Sequence, residues 1–162
     1  MLLTPRRPLS LAVIATVLIG LGLALAPTAA HAVTAGDCVA GEYFDGTDCV
    51  DAPAGSYTDA GGATAPTLCA AGRYQDLAGQ QSCKDAPAGS YVSGTGAIAA
   101  TLCAAGSYQG AAGSTACITT VAGYYAAEGA TATTACAAGT YQPAAAQGSC
   151  IPAEVGKYVA GT

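Results

Sequence analysis

Apolar positions fall into two unlike arrangements along the chain. Leu9 to Ala26 is an 18-residue apolar run interrupted only by Ser10 and Thr16, preceded by Arg6 and Arg7 and followed by the small-x-small tripeptide Ala30-His31-Ala32. A positive n-region, an apolar h-region and a small-residue cleavage site together read as an export signal over residues 1–32. The secreted chain then starts at Val33. Two other readings of the segment stay open. An uncleaved anchor is one, since 18 apolar residues just reach across a bilayer. A twin-arginine signal is the other, although Pro8 and Ser10 fit poorly around the arginine pair. Beyond residue 32 the pattern changes completely: no long apolar run and no 3.6-residue stripe remain, and Gly recurs too often for helix. What replaces them is a repeat.

Gly-x-Tyr occurs eight times, at Gly41/Tyr43, Gly55/Tyr57, Gly72/Tyr74, Gly89/Tyr91, Gly106/Tyr108, Gly123/Tyr125, Gly139/Tyr141 and Gly156/Tyr158. The tyrosines step by 14, 17, 17, 17, 17, 16 and 17 residues. A second glycine follows five residues after the tyrosine in four successive units, at Gly62, Gly79, Gly96 and Gly113, where a tight turn uses its positive φ. Thr/Ser-rich residues then close the unit. This order predicts one short two-stranded hairpin per module of about 17 residues. Tyrosine is the one large residue supplied to every module, which marks Tyr43, Tyr57, Tyr74, Tyr91, Tyr108, Tyr125, Tyr141 and Tyr158 as the contact between repeats.

Three residues before each glycine the chain alternates strictly: Cys38, Ala52, Cys69, Ala86, Cys103, Thr120, Cys136, Ala153. Cysteine marks the odd modules only. The closing cysteines Cys49, Cys83, Cys117 and Cys150 lie in the same odd modules, whereas Pro66, Ala100 and Thr133 stand at the equivalent even positions. Eight cysteines permit 105 connectivities, but the joint vacancy narrows them. Loss of both ends of a local bridge leaves no orphan thiol, whereas bridges between modules would strand one. The expected pairs are therefore Cys38–Cys49, Cys69–Cys83, Cys103–Cys117 and Cys136–Cys150, each worth about 3 kcal/mol by loop closure.

Composition explains why staples are needed. Residues 33–162 hold 33 Ala and 20 Gly but only 14 Val, Leu, Ile, Phe or Met, too few for a conventional core to offset backbone entropy of about 1–2 kcal/mol per residue. The expected fold is a small disulfide-rich all-β protein, an elongated tandem array of hairpins in which each unit couples to its nearest neighbours. Residues 33–162 form that array, its last repeat incomplete. The eighth module opens at Ala153 and stops at Thr162, which reads as a fragment of a longer surface protein.

Charge narrows the partners. Arg73, Lys84 and Lys157 oppose ten acids after residue 32, a balance of 3 minus 10, or −7, against −5 for the whole chain. Nucleic acid is not an expected partner of such a surface. Membrane association is expected only through an uncleaved signal segment or a downstream anchor. Asp45-Gly46-Thr47-Asp48, with Glu42 and Asp51 nearby, resembles a cation loop only loosely, and a solvated acidic cap is the preferred reading. The one histidine is His31, inside the signal segment, so the secreted part lacks the common triad base. Neither catalysis, cofactor nor metal is expected.

Cys-Ala-Ala-Gly-x-Tyr at Cys69 to Tyr74, Cys103 to Tyr108 and Cys136 to Tyr141, each with a further cysteine 14 residues after its first, resembles the cysteine-rich repeat of ephrin-receptor-like domains, which are similar in style to tumour necrosis factor receptor modules. Cys83-Lys84-Asp85-Ala86-Pro87-Ala88-Gly89-Ser90-Tyr91 matches the joining segment of such repeats, with Ala86 in place of their second cysteine. The resemblance spans residues 38–158 and implies a secreted or cell-surface array serving as stalk or binding surface. Two functions follow as expectations: a structural or adhesive spacer, or a secreted module that binds an extracellular protein or glycan through its tyrosines. Rings sealed between hairpins would favour the first, and a continuous exposed aromatic face the second.

Overall fold

The computed structural model describes residues 31–157. They belong almost wholly to the second of two compact units, Ala32–Thr162; residues 1–30 of the signal segment, Tyr158 and the end of the eighth module lie outside the described residues. A single turn of 3-10 helix, Ala35–Asp37, opens the unit. The Asp37 carboxylate holds its start, accepting from the Thr34 N–H and hydroxyl at 2.8 Å.

Seven antiparallel hairpins follow. Hairpin 1 pairs Glu42–Phe44 with Cys49–Asp51, hairpin 2 Ser56–Tyr57 with Thr67–Leu68, hairpin 3 Arg73–Tyr74 with Lys84–Asp85, and hairpin 4 Ser90–Tyr91 with Thr101–Leu102. Hairpin 5 pairs Ser107–Tyr108 with Ile118–Thr119, hairpin 6 Tyr124–Tyr125 with Thr134–Ala135, and hairpin 7 Thr140–Tyr141 with Ile151–Pro152. The fold is thus a small disulfide-rich array of tandem hairpins. In all seven hairpins the Gly-x-Tyr glycine makes the turn into the first strand. Gly55, for example, has φ +85°, and the Ser56 N–H after it closes the turn on Pro53 O at 3.0 Å, the arrangement of a type II turn. The Ser56 hydroxyl donates to the same carbonyl at 2.7 Å.

Strands of two residues cannot stand alone, and the hairpins support one another through their backbones. At the junction of hairpins 3 and 4, Gly72 N–H donates to Val92 O at 2.8 Å, Gln75 N–H to Ala97 O at 3.0 Å, and Gly96 N–H to Cys69 O at 2.8 Å. The same three bonds recur at all six junctions from hairpin 1 to hairpin 7, at 2.7–3.2 Å. At about 1 kcal/mol net for each bond, a junction contributes about as much as a disulfide, and it does so at every step.

Packing also reaches the next hairpin but one, a correction to nearest-neighbour coupling. A Cβ on Gly41, Gly55, Gly72, Gly89 or Gly106 would lie 2.2–2.5 Å from the carbonyl oxygen of Gly79, Gly96, Gly113, Gly129 or Ala146 respectively. Only glycine permits that approach. The second glycine therefore serves two ends, a turn and a contact surface. Little of this is hydrophobic packing. Ten of the larger aliphatic residues are exposed, and Val92 is the one fully buried among the described residues. The interior is made of cysteine, Ala52, Ala86, Ala126 and polar side chains such as Ser56, Gln75, Ser90 and Thr120.

Candidate functional site

The four bridges join Cys38 to Cys49, Cys69 to Cys83, Cys103 to Cys117 and Cys136 to Cys150, with Cα separations of 5.3–5.8 Å, within the ordinary range. Each ties the residue before a hairpin's entry turn to the residue at or just before the start of its second strand. No cysteine is free among the described residues, which suits an extracellular, oxidising compartment. In the even hairpins the opening position is filled: Ala52, Ala86 and Thr120 are fully buried.

Glutamine supplies a second brace, which the cysteine pattern alone did not disclose. Gln75 Nε2 donates to Ser82 O at 2.7 Å while its Oε1 accepts from Leu77 N–H at 3.2 Å. Gln109 and Gln142 repeat the clip on Ala116 O and Ser149 O. The clip closes the long loop of each later bridged hairpin. Its signal was present in the sequence: glutamine follows tyrosine at Gln75, Gln109 and Gln142, all in odd modules, and at no even tyrosine.

The tyrosine rings sit between the two extremes weighed for them. Tyr43, Tyr57, Tyr74, Tyr91, Tyr108 and Tyr125 are half-buried and Tyr141 is exposed at 38%. Their cross-strand partners differ by parity. Tyr57, Tyr91 and Tyr125 of the even hairpins face Thr67, Thr101 and Thr134. The odd tyrosines Tyr43, Tyr74, Tyr108 and Tyr141 face Val50, Lys84, Ile118 and Ile151.

Two equivalent grooves of about 400 Å³ result where an even hairpin meets the next odd one. Tyr91, Thr101, Leu102, Ser107, Ala116 and Cys117 line the first. Tyr125, Thr134, Ala135, Thr140, Ser149 and Cys150 line the second, position for position. One wall is a tyrosine ring beside a threonine, the other the closing end of the following disulfide. No charged residue lines either groove. At the preceding even-to-odd junction, Arg73 stands where Ser107 and Thr140 stand in the others, bonded through Nε to Asp85 Oδ1 at 2.7 Å.

Charge gathers elsewhere. Asp45 Oδ1 accepts from Thr47 N–H, the Thr47 hydroxyl and Asp48 N–H at 2.7–2.9 Å. The Thr47 hydroxyl first, then the backbone N–H groups of Asp48 and Thr47, hold its carboxyl below the ordinary value. The acidic run is thus a turn cap, and no group of three metal-ligating side chains occurs among the described residues. On hairpin 3, Lys84 bonds Asp76 and lies 6.0 Å over the Tyr74 ring. The pair lowers the Asp76 carboxyl and raises the Lys84 ammonium. No protein-family model matches the chain, and no curated protein is significantly similar to it.

Proposed function

We propose that the chain is an extracellular, non-catalytic spacer, exported by its N-terminal segment, which holds a partner or domain away from a surface. The observation that carries this reading is the backbone pairing at every described junction. Three hydrogen bonds link each hairpin to the next without calling on a particular side chain, and a disulfide braces every second hairpin. Such a chain of like junctions accepts added or removed repeats, since its stability is a sum of unit and interface contributions. We further read it as a variant of the ephrin-receptor-like plan in which backbone pairing has taken over from the alternate bridges.

Small-angle scattering on the secreted chain tests the reading. A compact globule of 130 residues has a radius of gyration of about 14 Å, and a spacer must give a value well above it. Deleting residues 69–102, one odd and one even module, should shorten the particle while Cys38–Cys49, Cys103–Cys117 and Cys136–Cys150 still form. A compact profile, or loss of those three bridges on deletion, refutes the proposal.

A further inference from the structure

The two grooves are a ligand-facing feature that a plain spacer does not need. We propose that they bind a neutral oligosaccharide, one hexose stacking on the Tyr91 or Tyr125 ring and donating hydroxyls to the threonine and serine oxygens beside it. Three observations carry this. First, the groove is built twice from corresponding positions, so the chain presents the same chemistry at successive even-to-odd junctions. A ligand that itself repeats can exploit such spacing by engaging both sites.

Second, the lining combines an aromatic face with hydroxyls and small side chains. A pyranose offers a C–H face to the ring and hydroxyls around its edge, and both are met here. Ser107 Oγ already donates to Ala104 O, and Thr140 Oγ1 to Ala137 O, both at 2.7 Å. Each oxygen keeps a lone pair to accept a sugar hydroxyl. Thr101 and Thr134 are exposed at the rim. Third, the charge is right for a neutral ligand. Residues 86–152 contain one charged side chain, Glu128, and it lines neither groove.

The chain has no tryptophan and nine tyrosines, so tyrosine fluorescence reports directly on the rings. The full secreted protein is titrated with cellohexaose, laminarihexaose and maltohexaose, and with hexagalacturonate as the charged probe, by fluorescence and calorimetry. At least one neutral hexasaccharide should bind and hexagalacturonate should not. Tyr91→Ala and Tyr125→Ala should each weaken binding about two- to tenfold, the range of an aromatic contact, and the double variant should weaken it by the product, about four- to hundredfold. Tyr57→Ala, at the Arg73 junction, should leave it unchanged.

Ser107→Arg and Thr140→Arg copy the residue already present at position 73 and spare the rings, so they keep the test open should an alanine variant misfold. Each should weaken binding and the two together should lose it, with all four bridges intact by peptide mapping. The inference is overturned by failure of all three neutral probes to bind, or by equal binding of hexagalacturonate. It is equally overturned if Tyr91→Ala with Tyr125→Ala, or the two arginine variants, leave affinity unchanged, or if Tyr57→Ala weakens it as much. Because the scattering measurement reads shape and the titration reads the rings, either can fail without the other.

Discussion

Gly89 and Gly139 occupy the same entry turn with nearly the same backbone, φ +82° and +83°, yet they differ in what lies above them. A Cβ on Gly89 would sit 2.2 Å from Gly129 O and 3.0 Å from Gly129 C, whereas one on Gly139 meets nothing within 4 Å among the described residues. Alanine at either site pays the left-handed strain of about 1–2 kcal/mol, partly offset by reduced freedom of the unfolded chain, leaving about 1 kcal/mol. At Gly89 the obstacle is backbone, so the turn of hairpin 6 must retreat. Two bonds go with that turn, Gly129 N–H to Cys103 O at 2.8 Å and Gln109 N–H to Ala130 O at 3.1 Å. At about 1–2 kcal/mol for each bond lost, Gly89→Ala should cost about 3–5 kcal/mol against about 1 for Gly139→Ala. Urea denaturation of the oxidised secreted chain gives the totals. An array need not unfold in one step, so hydrogen exchange locates the damage: the Gly129 and Gln109 amides should exchange faster in Gly89→Ala and at the parental rate in Gly139→Ala. Costs within 1 kcal/mol of each other, or an unmoved Gly129 amide, would refute next-but-one packing as a source of stability.

Further outcomes follow from the same geometry. Ala86→Cys with Ala100→Cys restores the vacant even-module pair, and it should close a fifth bridge worth about 3 kcal/mol; two free thiols by mass spectrometry would count against the equivalence of odd and even hairpins. Gln75→Ala leaves Ser82 O and Leu77 N–H without their partner and should destabilise hairpin 3 by about 1–3 kcal/mol, read as faster exchange of the Leu77 amide. Because the folded Asp45 carboxyl lies below 3.8, its contribution is complete above the unfolded value and disappears as pH falls through the folded one. The Thr47 and Asp48 amide shifts should therefore titrate with a midpoint below 3.8, and Thr47→Ala, which removes the largest cause, should move that midpoint upward.

Much of the array was legible because its chemistry is periodic in the sequence. Gly-x-Tyr placed seven hairpins, and the joint absence of cysteine at Ala86 and Ala100 or at Thr120 and Thr133 pointed to bridges within modules, where the structure has them. The second glycine was read as a turn residue, and Gly62, Gly79, Gly96 and Gly113 all have positive φ. Ala146 holds the same place in hairpin 7 at φ +60°, so the position outlasts the residue type. Less legible was what the glycines face. No pattern of residues announces that Gly72 lies under Gly113 O, because the partner is a backbone atom and backbone atoms carry no sequence signature. The junction bonds escaped for the same reason. The glutamine clip did have a signature, but its meaning depends on a loop path that spacing alone does not define. The short helix Ala35–Asp37 rests on a few bonds within Thr34 to Cys38, too local to register as a pattern.

These contacts show why a bridge on alternate hairpins suffices. Since the close glycine approaches run from each hairpin to the next but one, odd hairpins abut odd and even abut even. Every fully flanked even hairpin is held on both sides by backbone ladders to bridged neighbours, six hydrogen bonds in all for hairpins 2, 4 and 6. At about 1 kcal/mol net for each bond, those two junctions outweigh the roughly 3 kcal/mol a bridge of its own would supply. An even bridge is thus dispensable, provided its buried position is closed by something small; Ala52, Ala86 and Thr120 meet that condition. Loop length does not separate the two kinds of hairpin, since Tyr57 to Thr67, Tyr74 to Lys84, Tyr91 to Thr101 and Tyr108 to Ile118 enclose equal loops; what hairpins 3, 5 and 7 add is the glutamine clip beside the bridge. The residue facing the tyrosine alternates in step with the bridges, threonine in the even hairpins and Val50, Lys84, Ile118 or Ile151 in the odd ones, so bracing and groove chemistry share one period.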